Sequence, residues 1–317
     1  MHPLWLVAEP RGSHAHRTLY RRRLVSNNLT LGTCSLAEWP TLLAALDATF
    51  ITTRGRHGSL AARYPSALGA THLDQLHVGK LHGDILTCCA VRPFDWLVAE
   101  EHFRGAMVGM VYTQPAARGR GHAGALLSAL VAQLAQQGYD FAVLWSGLEG
   151  FYQRLGWIPN DQGVLGSLAP ATTRPSPPTP HPGWPVLEAI QQACSTQRVL
   201  RDAAAWRALP LPAPSSAVVS VTGPTPGYAL VGQDDTTRYV YEVAGAPQSF
   251  PELWQRLQRG ASRVWVNERL ASDFQRWLVA NTAVTWRPQT LAHWQIFSPR
   301  AQRAAWREWH IPWFDRI

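Results

Sequence analysis

The feature that most constrains this chain is a glycine-rich turn between a strand-like run and an amphipathic helix. Residues 103–113 are largely apolar, and residues 118–124 read Arg-Gly-Arg-Gly-His-Ala-Gly. Apolar residues then recur at helical spacing on one face, namely Leu126, Leu127, Leu130, Val131 and Leu134. Amide N–H groups at such a turn face outward at a helix N-terminus, where the macrodipole also favours an anion. The turn therefore predicts a phosphate-binding site.

Two other phosphate-binding folds also use glycine-rich turns. The spacing Gly119-x-Gly121-x-x-Gly124 satisfies the dinucleotide fingerprint. That fold places the turn after its first strand and an acid at the end of the next, whereas Asp140 precedes the following strand here. A P-loop is excluded because no Gly-Lys-Ser or Gly-Lys-Thr follows the glycines. A dinucleotide site is the weaker of the remaining interpretations.

The segment from Tyr112 to Gly124 resembles the coenzyme A-binding motif of the GNAT acyltransferase superfamily. The family pattern is Gln/Arg-x-x-Gly-x-Gly/Ala, which Arg118, Gly121 and Ala123 match. Downstream, Phe151-Tyr152-Gln153-Arg154-Leu155-Gly156-Trp157 resembles the family's Phe-Tyr-x-x-Leu-Gly-Phe segment. The resemblance extends to the enhanced intracellular survival type, in which an active GNAT domain is followed by a degenerate one. Those relatives carry a further sterol-carrier-like domain, for which only about twenty residues remain here.

The resemblance implies an α/β (α+β) fold with two GNAT-like domains. Each would be a mixed, mostly antiparallel twisted sheet flanked by helices. A length of 317 residues also favours two domains. Seven prolines between residues 169 and 185 are typical of an extended connector. The predicted parts are an N-terminal extension (1–27), a catalytic GNAT domain (28–168), a Pro-rich linker (169–185), a second, degenerate GNAT-like domain (186–297) and a C-terminal tail (298–317).

Hydrophobic periodicity predicts the elements within these parts. In the first domain it predicts strands at 29–34, 75–80, 84–91, 103–113 and 141–145, with helices at 39–50, 126–134 and 149–155. In the second domain it predicts helices at 186–194, 199–208, 251–258 and 271–279, with strands at 228–232, 238–243, 263–267 and 292–297.

The resemblance also implies a binding site for acetyl-CoA. Backbone groups of residues 111–113 would pair with the pantetheine arm and polarise the thioester carbonyl, and the turn at 118–124 would hold the pyrophosphate. Ser146, at the end of the next strand, is a further candidate. The candidate cofactor-binding residues are Val111, Tyr112, Thr113, Arg118, Gly119, Arg120, Gly121, His122, Ala123, Gly124 and Ser146.

The implied reaction is direct attack of a primary amine on acetyl-CoA in a ternary complex. Tyr152 would protonate the leaving thiolate, because a phenol with a pKa of about 10 is protonated at neutral pH. The general base is harder to find, since the strand at 103–113 contains no acid. Four nearby groups are more typical of a solvated surface: Glu100, Glu101, His102 and Glu149. Relay through water is the default expectation. The resemblance also implies the terminal carboxylate of Ile317 as the base, on condition that residues 313–317 fold back into the cleft.

Composition leaves two further hypotheses open. A coenzyme A-binding regulatory protein without efficient catalysis would also lack an acid on the strand. The net charge of +8 and the 15 Trp residues are compatible with nucleic-acid binding, but no zinc-finger or RNA-recognition motif accompanies them. Most Trp residues stand in apolar patterns, which makes a nucleic-acid partner unlikely. The acceptor, a small-molecule or protein amine, and the oligomeric state, including a homo-oligomer, stay open.

Compartment and metal content are predicted from what the sequence does not contain. No apolar run approaches the roughly 18 residues of a membrane span, so no membrane association and a cytoplasmic location are expected. The four cysteines lack zinc-ligand spacing, so no metal is expected.

Overall fold

The computed structural model describes residues 29–170, 182–208, 217–234 and 236–317. The predicted N-terminal extension and most of the predicted Pro-rich linker lie outside these residues. The strands are β1 (Thr30–Thr33), β2 (Leu76–Leu81), β3 (Asp84–Val98), β4 (Glu101–Thr113), β5 (Phe141–Trp145), β6 (Ile158–Pro159), β7 (Gly163–Leu168), β8 (Gln197–Leu200), β9 (Ala217–Val221), β10 (Gly227–Asp234), β11 (Thr237–Gly245), β12 (Arg263–Arg269), β13 (Thr285–Pro288) and β14 (Ala292–Ile296).

The helices alternate with these strands. They are α1 (Trp39–Phe50), α2 (Leu60–Arg63), α3 (Pro65–Leu68), α4 (His122–Gln136), α5 (Glu149–Gln153), α6 (Trp184–Cys194), α7 (Ala203–Ala208), α8 (Phe250–Gln258), α9 (Asp273–Asn281) and α10 (Pro299–Arg303). Short 3-10 turns lie at Thr52–Arg54, Leu73–Gln75, Pro115–Ala117, Pro247–Ser249, Trp306–Glu308 and Trp313–Asp315. Among the described residues, no helix is both long and apolar enough to cross a membrane.

Most elements predicted from periodicity are confirmed, but one helix is misplaced and several short elements, including α10, were not predicted. The predicted helix at 199–208 begins only at Ala203. The residues before it form β8, because Gln197–Leu200 pair antiparallel with Asp95–Val98 of β3. The omitted strands are β6, β7, β9 and β13, which have two to six residues each. Such short runs carry too little alternation to be recognised.

The strands form two mixed sheets. The first has the order β1-β2-β3-β4-β5-β14-β6, with β8 also paired to β3, and the second has the order β13-β7-β12-β11-β10-β9. Among the described strand pairs, β4 with β5 and β11 with β12 are the parallel ones. The predicted class, two mixed and mostly antiparallel sheets flanked by helices, is confirmed.

Each sheet contains, beside its parallel pair, a strand from the opposite half of the chain. Next to the parallel pair of the first sheet lies β14, and next to the parallel pair of the second lies β7. The sequence-based division had put β7 in residues 28–168 and β14 in residues 186–297. The sheets therefore do not coincide with that division. Hydrophobic alternation shows that a segment is a strand, but not which sheet edge it joins.

Asp161 lies where the chain crosses between the two sheets, just before β7, and it also holds the start of β14. Its carboxylate oxygen Oδ1 accepts the N–H of Gly163, at the start of β7, at 2.8 Å. Oδ2 accepts the N–H of Leu291 at 3.0 Å and of Ala292, at the start of β14, at 3.1 Å. One side chain thus holds the residue where the chain leaves the first sheet beside the residue where it returns.

The segment predicted as a C-terminal tail is part of the core. Four of its apolar side chains are at least nine-tenths buried: Trp306, Trp309, Ile311 and Phe314. The Trp309 ring lies 5.0 Å from that of Phe141 in β5, and the Trp294 ring of β14 lies 5.5 Å from the same ring. Offset and edge-on aromatic pairs at these distances add to the free energy gained from burial. Residues 298–317 therefore cover one face of the first sheet.

Candidate active site

The parallel pair β4 and β5 separates part-way along its length. The two strands are paired from Gly105 opposite Phe141 to Met107 opposite Val143, and no further pairing joins them in the described chain. Just beyond, the β3–β4 register shifts between Cys88 and Ala90, and Met110 has a positive φ of 50°. Such a bulge bends a strand and increases its twist. The β4 edge beyond Met107 therefore faces an opening between the two strands.

The glycine-rich turn lies at the far end of this β4 edge. Gly119 and Gly121 have φ values of 76° and 82°, which favour glycine, and an added Cβ at Gly119 would meet no atom within 4 Å. The first N–H in the hydrogen-bond ladder of α4 is that of Ala125, which donates to Gly121 O at 3.0 Å. The amides just before it are the ones a helix N-terminus leaves for an anion.

The side chains of the turn take different positions. Arg118 is exposed, and its Nε donates to the Thr113 carbonyl at 3.2 Å, which links the turn to the end of β4. Arg120 is also exposed. The side chain of His122 is buried, and its Nδ1 has no hydrogen-bond partner in the part of the chain that the structure describes. His122 can therefore face the turn with its main-chain N–H rather than with its imidazole.

The candidate pantetheine-binding residues lie along β4 as the sequence predicts, but their backbone groups are partly used. The Tyr112 carbonyl accepts the hydroxyl of Thr87 at 2.7 Å, and the Thr113 carbonyl accepts Arg118. Tyr112 also points its ring into the core, where burial raises the pKa of its phenol. Val111 is half-buried and lies at the bulge. Of residues 111–113 it is the nearest in sequence to Met107, where the β4–β5 pairing ends.

Tyr152 is buried on the α4 side of the first sheet. It packs in one cluster with Leu126, Leu127 and Leu130 of α4, and its ring lies 5.6 Å from that of His293. Burial raises the pKa of Tyr152 to about 12, although a hydrogen bond with the Ser146 side chain opposes the shift. The two predicted residues Tyr152 and Ser146 therefore meet, and the phenol keeps its proton at neutral pH.

Ile317 lies on the other face of the sheet, at the opening between β4 and β5. A Cβ added to Gly109 would lie 2.8 Å from the main-chain oxygen of Ile317 and 2.9 Å from its main-chain carbon. Ile317 packs against two core clusters, one of which contains Met110 and Tyr112 and the other Met107 and Val143. Residues 313–317 thus fold back onto β4 just beyond the last β4–β5 pair.

Residues 34–159 match the family model described as an acetyltransferase (GNAT) domain. This segment is a GNAT acetyltransferase domain. It makes the protein an acyltransferase, and it contains β4, the glycine-rich turn and Tyr152. No curated protein matches the chain.

Solved structures match the fold over both sheets of this acyltransferase. A GCN5-related N-acetyltransferase from Anabaena variabilis is 15% identical, with 85% of this chain and 73% of that chain covered and a TM-score of 0.66. One from Kribbella flavida is 13% identical, with 85% and 72% covered and a TM-score of 0.67. Eis1 from Mycobacterium abscessus is 15% identical, with 86% and 74% covered and a TM-score of 0.60. At these identities the likeness establishes the fold alone.

The titratable side chains near the GNAT site in sequence are exposed. Glu101 and His102 are exposed and begin β4, at the end of the strand opposite the glycine turn. Glu100, also exposed, lies in the turn before it with a φ of 72°. Glu149 is exposed and accepts a hydrogen bond from Gln153 on its own helix. Glu100, Glu101 and His102 therefore lie at the end of β4 that is remote from the opening.

Three features of the GNAT domain could not be recognised in the sequence. Gly109 reads as one more small residue in a strand, and its role depends on Ile317, 208 positions away. The bulge at Met110 follows from pairing with β3. The ion pair that holds Asp315 near the site joins it to Arg201, with 114 residues between their numbers. The charges of Arg201 and Asp315 within apolar segments were the available signal.

Proposed function

We propose that the protein is an N-acetyltransferase that moves the acetyl group of acetyl-CoA to a primary amine by direct attack in a ternary complex. The observation that carries the proposal is the opening between β4 and β5, with the glycine turn at one end and a buried phenol and a carboxyl group on its two sides.

The residues present suit acetyl-CoA. The positive-φ glycines keep side-chain atoms away from the amides before Ala125, so a pyrophosphate can approach the start of α4. The exposed guanidinium groups of Arg118 and Arg120 add positive charge there. The β4 edge beyond Met107 can donate and accept hydrogen bonds along an extended arm, as a strand partner would. When bound, acetyl-CoA supplies an acetyl thioester.

Residues of the chain carry out the two proton transfers of the reaction. The amine nitrogen forms a bond to the thioester carbonyl carbon, and the carbon–sulfur bond breaks. Tyr152, protonated because burial raises its pKa to about 12, gives its proton to the departing sulfur. The carboxyl group of Ile317 accepts the proton that the amine loses. The two groups lie on opposite faces of the sheet, so proton removal and proton donation are separated across the opening.

We further propose that the second sheet is a degenerate GNAT-like domain, which makes the protein a tandem. Its order β9-β10-β11-β12-β7-β13 corresponds to β2-β3-β4-β5-β14-β6, with the parallel pair at the same place. The turn between β11 and α8 contains Pro247 instead of a glycine pair, so it lacks the anion-binding amides. The acceptor is a small-molecule or protein amine, and the compartment is the cytoplasm.

The test is calorimetric titration of acetyl-CoA into the wild type and Tyr152→Phe, with thiol release followed across a panel of amines. We expect unchanged binding and a fall in kcat of about 10² to 10⁴, the usual contribution of a general acid. Tyr139→Phe is the matched control, because Tyr139 is equally buried in the same cluster but packs against Arg104. Wild-type binding without thiol release would favour a regulatory coenzyme A-binding protein; absence of binding would exclude both.

A further inference from the structure

A buried arginine joins the two sheets to the C-terminal segment. The Arg201 side chain has no solvent exposure and contacts two carboxylates. Its Nε donates to Asp315 Oδ1 at 3.0 Å and one terminal nitrogen donates to Glu242 Oε1 at 3.1 Å, while the other terminal nitrogen donates to both acids. The planar guanidinium thus uses both of its edges, one for each acid, which an ammonium group cannot do.

Each carboxylate belongs to a different part of the molecule. Glu242 lies on β11 of the second sheet, and its Oε1 also accepts the hydroxyl of Tyr228 at 2.6 Å and the amide of Gln191 at 3.1 Å. Asp315 lies in the C-terminal segment, and its main-chain oxygen accepts the guanidinium of Arg92, on β3 of the first sheet, at 2.6 Å. Arg201 therefore connects the second sheet, the first sheet and residues 313–317.

The charges within this cluster balance. Two arginines face two acids, and although burial alone would lower the pKa of Arg201, the charges of Asp315 and Glu242 raise it well above its usual value. Buried ion pairs of this kind contribute little net stability, because desolvation offsets the attraction between the charges. An apolar side chain of similar volume would serve a purely structural role as well. The position of the cluster suggests a different role.

The cluster lies two residues before the carboxyl group at the active-site opening. Asp315 is fixed through both its side chain and its main chain, and Arg316 donates to the Ile311 carbonyl at 2.9 Å and packs 4.8 Å from the Trp145 ring. With residues 315 and 316 both fixed, Ile317 has little freedom to leave Gly109. A proton acceptor must be held within a fraction of an ångström to act efficiently.

We propose that Arg201 is a positioning residue for acetyl transfer: through Asp315 it holds the Ile317 carboxyl group at the β4–β5 opening, and through Glu242 it makes that position depend on the second sheet. The inference rests on the proposed function. It also gives the second sheet, which lacks the glycine turn, a role in the reaction carried out by the first.

The test compares Arg201→Lys and Glu242→Gln with the control Arg238→Lys. Lysine keeps the charge but cannot bind both acids with two edges. Glutamine keeps the bonds from Tyr228 and Gln191 and removes only the charge that faces Arg201. Arg238 is a partly buried arginine of the second sheet that contacts Gln233 and the end of α8, away from the C-terminal segment. Measurements are kcat, KM for acetyl-CoA and hydrogen exchange of residues 309–317.

We expect Arg201→Lys to lower kcat by about 10- to 100-fold, the usual effect of misplacing a reacting group. KM for acetyl-CoA should stay within about twofold, because the glycine turn is untouched. Exchange of residues 309–317 should become faster. Glu242→Gln should change the same quantities in the same direction by less, and Arg238→Lys should change neither.

Two results would overturn the positioning role. One is an Arg201→Lys variant that keeps wild-type kcat while exchange of residues 309–317 rises. The other is equal loss of kcat in Arg201→Lys and Arg238→Lys, which would indicate general destabilisation. Failure of the proposed function has a separate signature, since the wild type itself would then release no thiol with any amine. If Arg201→Lys does not fold, the same comparison between Glu242→Gln and the control decides.

Discussion

Burial shifts the pKa of several side chains, among them Tyr152 and Glu268. At Tyr152 it favours the phenol over the phenolate, so the group keeps its proton at neutral pH. At Glu268 of β12 it favours the neutral acid, and burial raises the pKa of this group to about 7. The N–H of Arg269, which donates to Glu268 Oε1 at 2.8 Å, and the Ser272 side chain oppose the shift, whereas the charge of Glu242 adds to it.

Glu268→Gln should stabilise the protein at pH 8 relative to pH 5. The folded-state pKa of about 7 lies above the usual value of 4.5, so the unfolded state releases its proton first and the free energy of unfolding falls as the pH rises through this range. Glutamine removes that fall, which amounts to at most about 3 kcal/mol for a shift of this size. Thermal melting of both proteins at pH 5 and pH 8 measures it.

The matched control for this prediction is Glu308→Gln, which changes an exposed glutamate in the 3-10 turn Trp306–Glu308. Its melting temperature should follow that of the wild type at both pH values. A Glu268→Gln variant that gains nothing at pH 8 would show that the carboxyl group ionises in the folded protein without cost.

Single residues were predicted from the sequence where their chemistry is local. The glycines of the turn and Tyr152 stand in short motifs whose spacing is tied to a turn and a helix. Arg201, Asp315 and Glu242 could not be found in this way, because their meaning lies in contacts between three distant segments. A charged residue in an apolar run indicates a buried partner of opposite charge, but the sequence does not identify that partner.

At the scale of an element, the two halves of the thirteen-residue strand β4 have different structural roles. Its first half pairs with β3 and β5 as an ordinary inner strand, and its second half bends at Met110 and leaves β5. Gly109 lies between these halves, where the absence of a side chain lets Ile317 reach the strand. The strand itself was predicted from its apolar residues. Its bend was not, since a bulge depends on the register of the partner strand.

Gly109→Ala should displace the C-terminal segment without disturbing acetyl-CoA binding. The new methyl group would lie 2.8 Å from the main-chain oxygen of Ile317, closer than such atoms can approach, so the segment must move. We expect a fall in kcat of at least about tenfold with an unchanged dissociation constant for acetyl-CoA. Steady-state kinetics and calorimetry measure the two quantities.

Gly32→Ala is the control, because this strand glycine of β1 has nothing within 4 Å of an added Cβ. It should leave both quantities at their wild-type values. Full activity in Gly109→Ala would mean that the carboxyl group of Ile317 takes no part in the reaction.

At the scale of the whole molecule, the exchange of β7 and β14 makes the two halves dependent on each other. The first sheet needs β14 between β5 and β6, and it needs β8 along β3. It also needs Trp306 and Trp309 to cover Phe141. The sequence predicted two sheets and most of their strands but not the exchange, because β7 was not recognised as a strand and the hydrophobic pattern of β14 does not indicate which sheet it joins.

A fragment of residues 29–170 should therefore fail to fold cooperatively, although it contains the glycine turn and Tyr152. It would expose the edge of β5 and the aromatic face around Phe141. Joining residues 29–160 directly to residues 291–317 returns β14 to its place but leaves out β8, so this chimera should regain a cooperative thermal transition at a lower temperature than the full chain. Circular dichroism melting compares both with the full chain. A cooperative transition in the fragment alone would contradict the proposed dependence.

The exchange also affects the order in which the strands can pair during synthesis on the ribosome. The residues of β5 and β6 leave the exit tunnel about 130 positions before those of β14. At roughly 5 to 20 residues per second, the nascent first sheet waits some 7 to 26 seconds with an unfilled gap beside β5. During that interval β7 is free to enter the gap that β14 later takes, since it follows β6 directly in the chain. Translation speed across residues 160–290 thus becomes a determinant of which pairing is reached first.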